Sequence, residues 1–268
     1  MIFVKIILVA FLGLLVGCGL FYFRQENMIF YPETLPSDFR YRFPARFEEV
    51  NLNVDGAVIN ALHFRTDSPK GAIIYFHGNA GNLRGWGEVA LDFTRLSYDV
   101  FIPDYRGYGK STGRIENEAM LHSDATAAYG YLKAWYPEDR MVIYGRSIGT
   151  GIAVYLAKAN KPRMVILESP MFSMQDLAKY HYPLMPRWLI ASLLKYPMRT
   201  DLWIGDVPCP VYLFHGTVDD IVPYNSSERL IKLIKAEGRL ITIPGGGHND
   251  LDAHGINQSC DSIGRDRT

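Results

Sequence analysis

The sequence predicts an α/β protein: a doubly wound, mostly parallel sheet of about eight strands with helices on both faces, behind an N-terminal membrane anchor. Three observations carry this. Short, dense apolar runs bounded by Gly, Asp or Pro recur along the chain, as in strands buried on both faces. Helix-like stretches alternate with them. Ile2 to Phe23 is apolar throughout except for Lys5.

Composition is consistent with that class. The chain has 268 residues, and 28 basic side chains balance 28 acidic ones. A net charge of zero gives no field to attract nucleic acid, so no nucleic-acid partner is expected. Hydrophobic residues at 48% and charged residues at 21% describe a folded domain, not a disordered chain. The cysteines, Cys18, Cys209 and Cys260, are too few and too scattered for a disulfide framework or a thiolate metal site.

Along the chain, residues 1–27 are expected to be a transmembrane anchor or a lipoprotein signal. As a helix, Ile2 to Phe23 would reach about 33 Å, close to the hydrocarbon thickness of a bilayer. Leu15-Val16-Gly17-Cys18 also has the outline of a bacterial lipobox. Either puts the protein at a membrane, single-pass or lipid-anchored. Residues 28–46, rich in proline and aromatics, are expected to be a linker. A catalytic domain over 47–268 follows. Phe47–Val54 and Ala57–Phe64 alternate around Asp55-Gly56, a hairpin signal. The buried strands are Ala72–Phe76, Val100–Pro103, Met141–Tyr144, Met164–Leu167, Val211–Phe214 and Leu240–Ile243. Helices are expected over Trp86–Leu96, Glu116–Trp135, Gly149–Ala159 and Ser226–Glu237. The stretch 170–210 has no strand-like run and is rich in large apolar side chains, which suggests a lid or pocket wall.

The chemistry is concentrated at loops after strands. Gly145-Arg146-Ser147-Ile148-Gly149 stands between a strand and a helix of small residues, the context that gives G-x-S-x-G its meaning. The turn exposes the Ser147 hydroxyl and aims the Ile148 amide at the same space. A serine needs a base, and on such a sheet the chain order is serine, acid, histidine. His248, after three glycines and the last strand, fits the base. Asp219, after the preceding strand, fits the acid, with Glu168 and Asp220 as alternatives. His77-Gly78-Asn79-Ala80-Gly81-Asn82 is glycine-rich and follows an early strand; the amide of Asn79, with that of Ile148, would form an oxyanion hole. Neither a P-loop nor a dinucleotide fingerprint is present, so no cofactor and no metal are expected. Asp104 and Arg106, after the next strand, are read as ordering their loop, with substrate binding as the alternative.

These motifs, together with Asn27-Met28-Ile29-Phe30-Tyr31-Pro32 and Asp104-Tyr105-Arg106-Gly107-Tyr108-Gly109, resemble the α/β-hydrolase superfamily over about residues 29–251. More narrowly the chain is similar to membrane-anchored serine hydrolases related to eukaryotic protein depalmitoylases and their bacterial relatives. The resemblance implies the α/β-hydrolase fold, with Ser147, Asp219 and His248 as nucleophile, acid and base. It implies a small-molecule or lipid-like acyl substrate, an ester or thioester, cleaved through an acyl-enzyme. A non-catalytic membrane-tethered binding module, or a peptidase on the same scaffold, is the alternative. Such relatives usually end in an amphipathic helix, whereas Ile256 to Thr268 is polar and lacks an apolar stripe.

Overall fold

The computed structural model describes residues 2–251. The unusual C-terminus noted above, with His254, lies outside the described residues. Eight strands form one sheet: β1 Phe47–Val54, β2 Ala57–Phe64, β3 Gly71–Phe76, β4 Tyr98–Pro103, β5 Met141–Arg146, β6 Met164–Glu168, β7 Val211–Gly216 and β8 Gly238–Ile243. Their spatial order is β8-β7-β6-β5-β3-β4-β2-β1. The β1–β2 hairpin is antiparallel and β2 runs antiparallel to β4; every other pairing is parallel. This is the α/β-hydrolase fold. Alternate residues of one strand feed two cores. Ile74, Phe76, Ile143 and Leu213 face one, and Ile73, Tyr75, Val142 and Phe214 face the other. Burial on both faces is why these strands read as unbroken apolar runs.

The helices are α1 Ile2–Ile29, α2 Leu83–Trp86, α3 Ala90–Arg95, α4 Glu118–Lys133, α5 Ile148–Ala157, α6 Met174–His181, α7 Arg187–Leu193, α8 Thr200–Trp203 and α9 Asn225–Leu230. Two differ from the sequence expectation for visible reasons. The single helix expected over 86–96 is broken into α2, a tight turn at Gly87–Val89 and α3. There the Phe43 ring lies where a Cβ on Gly87 would stand, 2.2 Å away. The helix expected over 226–237 stops at Leu230 and tightens at Ile231–Leu233. Ile231 and Ile234 can then both pack on the core before the chain enters β8. The 170–210 stretch holds α6, α7 and α8 and no strand.

Residues 28–46, expected to be a linker, are packed onto the domain. Phe30 and Tyr41 are buried, and Tyr31–Pro32 pairs in parallel with Ala80–Gly81. α1 is one unbroken helix of 28 residues that passes through Cys18. Among the described residues no helix is long and apolar enough to cross a membrane. The side chains of Ile7, Ala10, Phe11 and Leu14 lie outside the described residues, although all four belong to the continuous apolar run of the sequence.

Two buried histidines away from the serine make stability depend on pH. Burial pushes His63 down to about 4, with Arg65 adding to the effect and Asp99 opposing it; burial and then Lys158 push His122 down to about 4. Between about 6.5 and 4 the unfolded chain binds protons that the folded chain refuses. Their contribution is therefore full above 6.5 and is lost as pH falls towards 4, about 3 kcal/mol apiece at most. Melting temperature is expected to drop over that window. His122→Phe, which keeps the stack on Tyr155, is expected to flatten the slope in a thermal-shift series.

Candidate active site

Ser147 is the hinge between β5 and α5. Its backbone sits at φ 53° and ψ −119°, a region L-residues rarely occupy. The turn closes only because its neighbours lack side chains. A Cβ on Gly145 would stand 2.5 Å from the Gly149 carbonyl oxygen, and one on Gly149 would stand 2.1 Å from that of Phe76. The Ser147 amide donates to the Glu168 carbonyl at 2.9 Å, which ties the elbow to β6. Ile148 is the first residue of α5, where the backbone N–H has no partner within the helix.

Asp219 and His248 arrive on the loops after β7 and β8. Gly216 lets those loops cross, since a Cβ there would lie 2.1 Å from the Gly246 carbonyl oxygen. The Asp219 carboxylate is buried. Its Oδ1 accepts from the amides of Ile221 at 3.0 Å and Val222 at 2.8 Å. Its Oδ2 lies 2.8 Å from His248 Nδ1. A carboxylate beside Nδ1 places the imidazole proton there, so Nε2 carries the lone pair. That Nε2 lies 2.9 Å from Ser147 Oγ, so the serine hydroxyl donates to it. Burial acts to raise the Asp219 pKa, but the hydrogen bonds from His215 and His248 outweigh it and hold the group below the usual carboxylate range.

The alternative acids go elsewhere. Glu168 is buried against Arg146, Nε to Oε1 3.2 Å, and accepts from the Tyr144 hydroxyl at 2.8 Å. Asp220 is exposed. His215, which the sequence presents as a structural imidazole, is fully buried against Asp219: Nε2 is 3.3 Å from Oδ2 and 2.9 Å from the Val222 carbonyl. Two acceptors at Nε2 put the proton there, and Nδ1 accepts from Ser227 Oγ at 2.7 Å. The signal for this contact was in the sequence, in the spacing of His215 four residues before Asp219.

Asn79 lines the same cavity as Ser147, Ile148 and His248. Its carbonyl is fixed by the Tyr108 hydroxyl at 2.6 Å and the Tyr31 amide at 2.8 Å. Among the described residues, neither its N–H nor that of Ile148 has a backbone or side-chain acceptor. The loop beneath is braced by His77, which contacts Asp104 at 3.2 Å. Arg106 forks onto Asp124 at 2.7 and 2.8 Å, away from the cavity. Both therefore order their loop. The cavity has a volume of about 390 Å³. Its walls include Met174 and Leu177 of α6 and, unforeseen from the sequence, Phe21, Gln25, Met28 and Ile29 of α1.

The family model described as Hydrolase_4, serine aminopeptidase S33, matches residues 67–204, about half of the chain and including the elbow. The chain belongs to that family of α/β hydrolases. The protein Rv2307c of Mycobacterium tuberculosis is 34% identical over 244 residues, covering 88% of this hydrolase and 85% of that protein. The lysophosphatidylserine lipase ABHD12 of Danio rerio is 31% identical over 187 residues, 63% of this chain and 48% of that one. Among solved structures, esterase Pf2001 of Pyrococcus furiosus aligns with a TM-score of 0.65 at 17% identity, covering 88% of this chain and 97% of that one. That likeness concerns the fold alone. The hydrolase is thus an α/β serine hydrolase, with a polar relay at one end of an apolar cavity. Among the described residues no cluster of His, Cys, Asp and Glu is arranged to hold a metal ion.

Proposed function

We propose that the protein hydrolyses carboxylic esters, or thioesters, of an apolar acyl group. The observation that carries this is the unbroken relay from Asp219 Oδ2 through the His248 ring to Ser147 Oγ, with contacts of 2.8 and 2.9 Å. Ser147 attacks the acyl carbonyl while His248 Nε2 takes its proton. Asp219 keeps Nδ1 protonated and stabilises the imidazolium. The amides of Ile148 and Asn79 receive the oxyanion, each worth about 3–4 kcal/mol in the transition state. His248 returns the proton to the leaving oxygen or sulfur as the tetrahedral intermediate collapses. Water, deprotonated by the same nitrogen, then releases the acid from Ser147.

The family description supports one rival, an aminopeptidase. Such an enzyme must hold an ammonium group, which calls for carboxylates facing the substrate. Among the described residues, those lining the cavity include no aspartate or glutamate, and Arg146 is one of them. Ester chemistry fits this lining better. p-Nitrophenyl butyrate is expected to be cleaved with a kcat/KM at least about 100-fold above that for alanine p-nitrophenyl ester, which has the same leaving group, the gap set by an unmet ammonium. The reverse preference would make the aminopeptidase reading the right one.

We also propose that α1 tethers the hydrolase to a membrane. Ile2, Phe3, Val4, Ile6, Leu8 and Val9 are exposed along it, an apolar surface that water does not favour. The full chain should stay with membranes through an alkaline carbonate wash. Release into the soluble fraction would remove the tether.

A further inference from the structure

We infer that the last turns of α1 form a working wall of the acyl site, and that Met28 limits the length of acyl chain accepted. This rests on the ester-hydrolase reading above. The observations concern how α1 is fixed. Gln25, 1% exposed, donates its amide to the Leu193 carbonyl at 2.6 Å and accepts from the Lys195 amide at 2.9 Å. Glu26 pairs with the Lys195 ammonium and accepts from the Tyr196 hydroxyl at 2.9 Å. The Ile29 carbonyl accepts from the Asn79 side-chain amide at 2.9 Å, and Tyr31, just beyond the helix, donates to the Asn79 carbonyl at 2.8 Å.

These contacts clasp α1 at two places, the end of α7 and the loop proposed to bind the oxyanion. A buried side chain that satisfies two backbone groups holds a specific geometry, because breaking it leaves both unpaired. The helix end therefore keeps one position on the cavity that Ser147 also lines. Met28 lines the cavity and is 42% exposed, so its side chain is not locked among packed neighbours and a larger or smaller one there changes the room in the cavity. Met174 and Leu177 of α6 contribute apolar side chains to the same cavity. Flexible thioether and aliphatic walls suit an unbranched acyl chain, whose methylenes each gain from burial.

The test uses the full chain in detergent. For each enzyme, kcat/KM is measured on p-nitrophenyl octanoate and acetate, and the ratio is taken. Each methylene denied burial costs about fourfold. Met28→Trp is expected to lower the ratio about tenfold or more, and Met28→Ala to raise it. In parallel, dansyl-undecanoate is titrated against the Ser147→Ala protein with and without each change. Its Kd is expected to rise about tenfold with Trp and to fall with Ala. Ratios and Kd values within twofold of the parent for both variants overturn the inference, as does a shift in the same direction for both. If wild type cleaves neither ester, the ester-hydrolase reading fails on its own, and the binding titration still decides the role of Met28. Where the two measurements differ, the titration decides.

Discussion

Ser147→Ala and His248→Ala are each expected to lose about 10⁶ of kcat on p-nitrophenyl butyrate, and the double variant no more than either alone. The non-additivity is the informative part. In the proposed mechanism the hydroxyl and the imidazole act as one unit, since Ser147 Oγ donates to Nε2, which is free to accept because Asp219 holds the proton on Nδ1. Once either is gone, the other has no task left. Asp219→Asn is expected to lose less, about 10⁴, by favouring the wrong tautomer while leaving the ring in place. His215 bears on that value, because its Nε2 also faces Asp219 Oδ2. Residual turnover should persist in every variant through the backbone amides, which no side-chain change removes. Single-turnover and steady-state measurements on the set of four check this. Losses that multiply in the double variant would mean the two groups act separately.

Gly149→Ala is expected to destabilise the fold by about 3 kcal/mol or more and to lower the melting temperature by about 10 °C. The added methyl group would stand 2.1 Å from the Phe76 carbonyl oxygen and 2.9 Å from that of His77. Both are backbone atoms at the end of β3, so relief requires moving a central strand or opening the elbow. The loss is thus structural and catalytic together. Gly130→Ala is the natural control. Gly130 is an exposed position of α4 with nothing within 4 Å of an added Cβ. There the change should stabilise by about 0.5–1 kcal/mol through helix propensity. Thermal-shift measurements should therefore move in opposite directions for two chemically identical substitutions.

Much of the sheet was legible because burial on both faces writes itself into the sequence as short apolar runs. The β1–β2 hairpin keeps the limits that its alternation predicts, 47–54 and 57–64. Ser147, Asp219 and His248 stand out in the sequence because each sits just past a strand, where a loop is free to carry chemistry, and their side chains meet at 2.8 and 2.9 Å. What escaped was set by contacts distant in sequence. Phe43 packs on Gly87 where the helix expected after Trp86 is interrupted, although nothing near residue 87 announces that contact. The 28–46 segment reads as a linker by composition, yet it supplies Tyr31 to the Asn79 loop. The end of α1 reads only as the close of an apolar run. Its role as a cavity wall depends on Gln25 and Glu26 meeting residues 193–196, some 170 positions away. Period and turn chemistry carry no record of such meetings.

The most direct measurement is covalent capture. The folded protein is treated with a fluorophosphonate, weighed intact and mapped by peptide mass. One adduct per chain on the peptide carrying Ser147, formed slowly or not at all in His248→Ala, is the predicted result. A folded protein that takes up no label, or takes it up at another residue, would contradict the assignment of Ser147 as a nucleophile activated by His248.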